Sequence, residues 1–220
     1  MVTKPFQRAR RPEHKEQRRQ DILEAAATLA LRDGVREVTL TDIAAEAGVH
    51  KSAVLRYFAS REAVFLLLTA DGWQDWATAV EETLQAPADP AAVAATLVAA
   101  LAERPLFCDL LAHAQLNLER GVTLEQVRDF KATTLDAVDR ITHALITDLP
   151  WLTRGQAADA IAGTTAMAAQ QWQTSNPPET LARLYAEDPH FAHAASEFTP
   201  RLIRLVTLLL SGAAASRSDP

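Results

Sequence analysis

Ser52, Ala53 and Arg56 fall on one side of the segment 51–58 when its residues are set at 100° intervals, with Lys51 and Leu55 at the rims. Two cations, a hydroxyl and a small side chain hold no nucleophile–base pair. Their chemistry is ionic and hydrogen-bonded recognition of a polyanion. A surface of this kind suits the DNA major groove, which admits an α-helix edge-on. The opposite side carries Val54 and Phe58 at i and i+4, with Tyr57 beside them, and is expected to face inward.

No other set of residues points to covalent chemistry. The chain contains no G-x-S-x-G, no P-loop, no H-E-x-x-H and no pair of cysteines. His190 and His193 stand three apart, a spacing that can hold a metal, but no third ligand accompanies them. Neither metal, cofactor nor enzymatic activity is expected. Cys108 lies in the apolar run Leu106-Phe107-Cys108, which suits a small buried hydrophobe.

The elements that must position the cationic segment are legible around it. Thr39 and Asp42 have the spacing of a capping box at a helix start. Leu40, Ile43, Ala44 and Ala47 then share one helical face. Gly48 supplies the left-handed backbone that ends a helix and turns the chain. Two short helices joined by a tight turn fit both a DNA-reading helix–turn–helix and an ordinary helical hairpin.

A wider pattern separates the two. Ile22, Leu23, Ala25, Ala26, Gly34, Val38-Thr39, Asp42-Ile43-Ala44, Ala47-Gly48-Val49, Tyr57-Phe58 and Arg61-Glu62-Ala63-Val64-Phe65 lie in one register without gaps. From Arg19 to Phe65 the chain resembles the DNA-binding domain of the TetR family of bacterial repressors. The family often has Ser where His50 stands and Tyr where Leu55 stands. The resemblance implies an all-α protein of about nine helices plus a short one. An N-terminal three-helix helix–turn–helix domain precedes a helical ligand-binding and dimerisation domain. The expected division is a flexible basic arm over 1–16, a DNA-binding domain over 17–77 with its motif at about 40–59, and a regulatory and dimerisation domain over 78–220.

The resemblance also implies roles. Lys51, Ser52, Ala53, Leu55, Arg56 and Tyr57 should face or flank the groove, with Thr39, Thr41 and Arg61 towards phosphates. The second lobe should bind a small-molecule effector that releases DNA. Trp73, Trp76, Phe107, Leu111, Gln115, Met167, Gln170 and Trp172 offer large apolar surface with a few amides for a largely apolar ligand. A homodimer is expected on two helices, Thr153–Gln173 and His190–Leu210, through Ala157, Ile161, Ala168, Leu202, Leu205, Val206 and Leu209.

Composition agrees. The chain has 220 residues, 48% hydrophobic and 23% charged, which is ordinary for a globular protein. The net charge of −6 hides a polarity: 12 Lys/Arg against 8 Asp/Glu up to Arg61, then 10 against 20. An acidic protein with one basic end is the footprint of a local polyanion site. No signal peptide is evident, and the most apolar run, Leu202–Leu210, is too short for a bilayer and contains Arg204. The expectation is a cytoplasmic protein without a membrane partner that regulates transcription on a double-stranded operator as a ligand-released repressor. The alternatives are a helical ligand-binding or interaction protein without operator binding, and an activator of the same fold.

Overall fold

The computed structural model describes residues 10–86, 88–114, 118–191 and 197–216, with side chains from residue 14 onward. All regular structure among these residues is helical: α1 Arg10–Asp33, α2 Leu40–Glu46, α3 Lys51–Val54, α4 Arg61–Thr83, α5 Pro90–Ala102, α6 Pro105–His113, α7 Leu124–Asp148, α8 Arg154–Ser175, α9 Glu179–Glu187 and α10 Phe198–Ala215.

Side-chain caps set most of the helix starts. Thr123 with Gln126 and Thr153 with Gln156 form reciprocal capping boxes at α7 and α8. Ser60 accepts the Ala63 N–H at the start of α4, and Asp89 caps α5 ahead of Pro90. Pro90 and Pro105 sit at first helical positions, where the missing N–H costs nothing. After α6 the Glu119 N–H reaches back to Ala114 O at 3.1 Å, a turn one residue wider than an α-helix.

Helix boundaries near both ends of the chain depart from expectation. α1 begins at Arg10, so residues 10–16 are helical and not part of a flexible arm. Residues 1–9 lie outside the described residues. α10 begins at Phe198 and not near His190. Pro200 therefore falls in its first turn, where no intrahelical donor is needed.

α4 is the central strut. It packs against α7 along most of its length and also touches α1, α5 and α6. Phe65, Trp76, Ala77 and Val80 on it are fully buried. Trp73, Trp76 and Phe107 form an aromatic cluster with centroids 5.6–6.3 Å apart. Gly72 makes the cluster possible: an added Cβ would lie 2.8 Å from Phe107 Cγ. On the outer side Arg140 of α7 bonds Glu81, Gln74 and Thr78 of α4, tying the two helices along one edge.

α10 packs on α5 and α8, burying Leu202, Val206 and Leu210. Among the described residues α10 is the single helix long and apolar enough to cross a membrane, yet only 17% of it is buried within the chain. It is better read as a core helix with an uncovered second face. Gly163 of α8 lets α10 approach closely, since a Cβ there would meet Leu209 Cδ2 at 2.8 Å.

Gly72→Ala should lower stability by about 1–3 kcal/mol, because the new methyl displaces Phe107 from a packed core. Denaturant unfolding would measure it, and an unchanged midpoint would contradict the close approach. A second expectation concerns Asp148, which is 2% exposed, with Oδ1 lacking a hydrogen-bond partner. Burial raises its pKa, and the bond from the Ala86 N–H opposes this only in part. A raised folded pKa contributes stability below the unfolded value that is lost as pH rises through the folded one. Unfolding of the wild type and Asp148→Asn from pH 3.5 to 8 should show the wild type losing ground to the variant as pH rises.

Candidate nucleic-acid interface and the cavity behind it

The α2–α3 unit is built from local bonds. Thr39 Oγ1 accepts the Asp42 N–H, while Asp42 Oδ2 accepts the Thr39 N–H at 2.9 Å and its hydroxyl at 2.6 Å. The Thr39 hydroxyl bond, then its backbone bond, hold the Asp42 carboxyl below its ordinary pKa, so it stays charged at the positive helix start. At the other end Gly48 has φ +64°. Its N–H bonds Ala45 O, and Val49 N–H bonds Ala44 O, the paired bonds of a glycine-terminated helix.

His50 then caps α3. Its Nδ1 accepts the Ser52 N–H at 3.3 Å and lies 2.9 Å from Ser52 Oγ. The imidazole thus does the work of the hydroxyl that the family pattern often has there, with Nδ1 unprotonated. α3 is shorter than expected: regular helix covers Lys51–Val54. The coil continues through mixed bonds, Leu55 N–H to Lys51 O, Arg56 to Ala53, and Tyr57 and Phe58 both to Val54. Side chains therefore keep their expected sides. Val54 and Phe58 are buried, while Lys51, Ser52, Leu55 and Arg56 are exposed and Ala53 and Tyr57 are half-buried. Lys51 and Arg56 make no ion pair with any described residue.

Among the phosphate candidates, Thr39 at the cap of α2 and Thr41 in its first turn are exposed. Arg61 is turned inward, contrary to expectation. Its Nε donates to Val38 O and its outer nitrogen to Val35 O, and it lies 4.8 Å over the Phe65 ring. Its side chain is 20% exposed. With Nη1 also 3.4 Å from Glu62 Oε1, Arg61 is a clasp on the α1–α2 turn whose other donors go to buried carbonyls.

A cavity of about 590 Å³ lies between α4, α6, α7 and α8. Trp73, Leu111 and Gln170 line it, as expected. Trp76, Phe107, Met167 and Trp172 do not. Trp76 is fully buried and bonds Leu97 O, Phe107 packs on Gly72, and Met167 sits against the core. Trp172 stacks edge-on against Phe198. Gln115 lies outside the described residues. The walls that sequence reasoning missed come from α7 and the outer stripe of α8: Phe130, Thr134 and Val138, then Ile161, Thr165 and Ala166. Thr134 Oγ1 is buried without a partner. Two lining charges, Lys131 and Glu119, pair at 2.6 Å. The surface can hold an apolar body and satisfy a few neutral polar groups.

The dimer candidates divide. Ala157, Ile161, Ala168, Leu202 and Val206 are at most 1% exposed within one chain, so they belong to its own core and cannot meet a partner. Leu205 and Leu209 are half-exposed, beside Leu208 at 69%. Cys108 is fully buried, its thiol bonded to Leu101 O and pushed up to about 12 by burial and then by Asp109. It is chemically inert.

Comparison with known proteins gives this geometry a setting. Residues 22–68 match the family model for bacterial regulatory proteins of the tetR family, and residues 70–217 match that for the tetracyclin repressor-like C-terminal domain. An uncharacterized HTH-type transcriptional regulator of Bacillus subtilis, YfiR, is 38% identical over 60 residues, 27% of this chain and 29% of that one. The match thus spans less than a third of that relative. The fold resembles fatty acid degradation regulator FadR from Bacillus halodurans, with 14% identity, TM-score 0.58, and coverage of 89% of this chain and 95% of that one. It also resembles FadR from Thermus thermophilus, a TetR-family repressor in complex with lauroyl-CoA, with 19% identity, TM-score 0.57, and coverage of 89% and 93%. With one family model on the helix–turn–helix and another on nearly all that follows, the chain belongs to the TetR family of bacterial transcriptional regulators.

Proposed function

We propose that the chain is a homodimeric repressor that reads a palindromic operator with α3 and releases it when a small, largely apolar ligand fills the cavity. The observation that carries the reading is the pair of exposed, unpaired cations Lys51 and Arg56 over a buried Val54–Phe58 side. Ser52, Ala53, Leu55 and Tyr57 flank them, and Thr39 and Thr41 stand at the start of α2 for phosphate contact. Arg61 is removed from that set by its inward bonds. The DNA-reading unit ends within α4, at about residue 77, and the regulatory lobe follows.

A dimer is needed on physical grounds. One short helix makes few base contacts, and two copies spaced by about one turn of duplex (~34 Å) read a palindrome. The uncovered face of α10 at Leu205, Leu208 and Leu209, beside the small residues of α8, supports that interface. The cavity's paired charges favour an effector with a neutral head over a polyanion such as the lauroyl-CoA held by the Thermus relative. No residue is assigned a catalytic role, and the protein acts in the cytoplasm with the DNA.

Operator fragments selected from genomic DNA would test the reading in a gel shift. Arg56→Ala should weaken binding by about 1–3 kcal/mol if it reads a base, while Lys51→Ala should reduce the salt slope by about 1. Unchanged affinity and slope would remove both from the interface. Leu208→Asp should convert the dimer to monomer in light scattering and abolish tight operator binding. A dimer surviving with full affinity would place the interface elsewhere.

A further inference from the structure

The α1–α2 turn is held from both lobes at once. Gly34, with φ +88°, ends α1 and aims the Val35 N–H away from the helix. Val35 is fully buried, so that donor needs a partner. Its partner is Asp109 Oδ2 on α6, at 2.7 Å and 74 residues distant in sequence. The Val35 carbonyl is taken by Arg61 of α4, which also takes Val38 O immediately before the Thr39 cap. The turn that leads into the helix–turn–helix is thus clasped on its carbonyl side by α4 and on its amide side by the regulatory lobe.

Asp109 has a second partner. Its Oδ1 accepts from Gln173 Nε2 of α8 at 2.8 Å. Gln173 lines the ligand cavity, and it also lines a second cleft of about 520 Å³ between the lobes, beside Arg61 and His113. A single amide therefore touches the cavity and the carboxylate that holds the turn. His113 Nε2 lies 3.6 Å from the same Oδ1, one helical turn along α6.

We propose that Gln173–Asp109–Val35 is a relay in which Asp109 is the positioning residue for the helix–turn–helix and Gln173 is its ligand-sensitive partner. The proposal rests on the regulator reading above. A carboxylate with little exposure is aimed by its bonds. With Gln173 in place, one oxygen is fixed by α8 and the other is directed at Val35. A ligand that bonds the Gln173 amide removes the first tether. The carboxylate is then free to rotate towards His113, and the buried Val35 N–H loses its acceptor. The turn loosens just ahead of the Thr39 cap, and α2 and α3 lose their fixed attitude. The ligand needs differential affinity for the loosened state, and competition for one amide supplies it.

Gln173→Met keeps the length and removes the amide at an exposed position, so it leaves the core untouched. Asp109→Asn keeps the shape and removes the charge. Exchange of the Val35 amide, followed by NMR in the DNA-free protein, should speed up by about fivefold or more in each single variant, with no further gain in the double variant. Affinity for a selected genomic operator fragment should fall in the same non-additive way. Unchanged Val35 exchange in Gln173→Met, or additive effects in the double variant, would overturn the relay. If the wild type retains no genomic fragment, the regulator reading fails by itself, and the exchange of Val35 alone decides the relay.

Discussion

A helix of four residues cannot hold itself in water. Nucleation fixes several dihedrals for one hydrogen bond, and isolated helices far longer than α3 are marginal. Every feature around α3 supplies what it lacks. Gly48 and Val49 finish α2 and set the angle of entry, His50 satisfies an orphan N–H, and burial of Val54 and Phe58 fastens the inner side. Burying two such side chains stabilises by about 1.5–3 kcal/mol each, against about 1 kcal/mol for a side-chain cap and less for the helix dipole. The exposed cations contribute nothing to this. They are carried by a coil whose position is decided on its other side, which leaves them available to a partner.

The same logic extends outward through Arg61. A guanidinium with two backbone carbonyls and a ring beneath it is a stiff brace, because its donors form a planar fork. It joins the α1–α2 turn to the first turn of α4, and α4 runs on into the aromatic cluster at Trp73, Trp76 and Phe107. The reading unit and the regulatory lobe therefore share one continuous helix as well as the turn. A rotation of α4 about the cavity is felt at Arg61 without any loop between them to absorb it.

Local patterns were readable and partners across the chain were not. The Thr39–Asp42 box, the Gly48 stop and the inward Val54–Phe58 pair depend on residues a few positions apart, and all three are found where their spacing puts them. Arg61 was misread because its acceptors, Val35 O and Val38 O, lie 26 and 23 residues upstream, where no periodicity reaches. Ala157, Ile161, Ala168, Leu202 and Val206 show a limit of another kind. Helical spacing tells which residues share a face, but not whether a sister helix or a second copy covers it. Asp109 carried a signal that went unused: an acid amid the apolar residues of Leu106–Leu111 needs a donor, and the donor came from the other lobe.

Burial also narrows what can cover α10. A helix apolar enough to cross a bilayer, yet mostly uncovered by its own chain, has three ways to hide its second face: lipid, an intrachain element or another copy. Lipid is disfavoured by Arg201 and Arg204, both exposed on the same helix, and by the close fit of Leu209 against Gly163 of α8. Among the described residues no further element of the chain lies over Leu208. α9, the nearest helix in sequence, buries none of its own residues. The proposed second copy would meet the requirement with the same face on both sides, as a two-fold contact must. It would also set two α3 segments at a fixed separation, which a single chain cannot do.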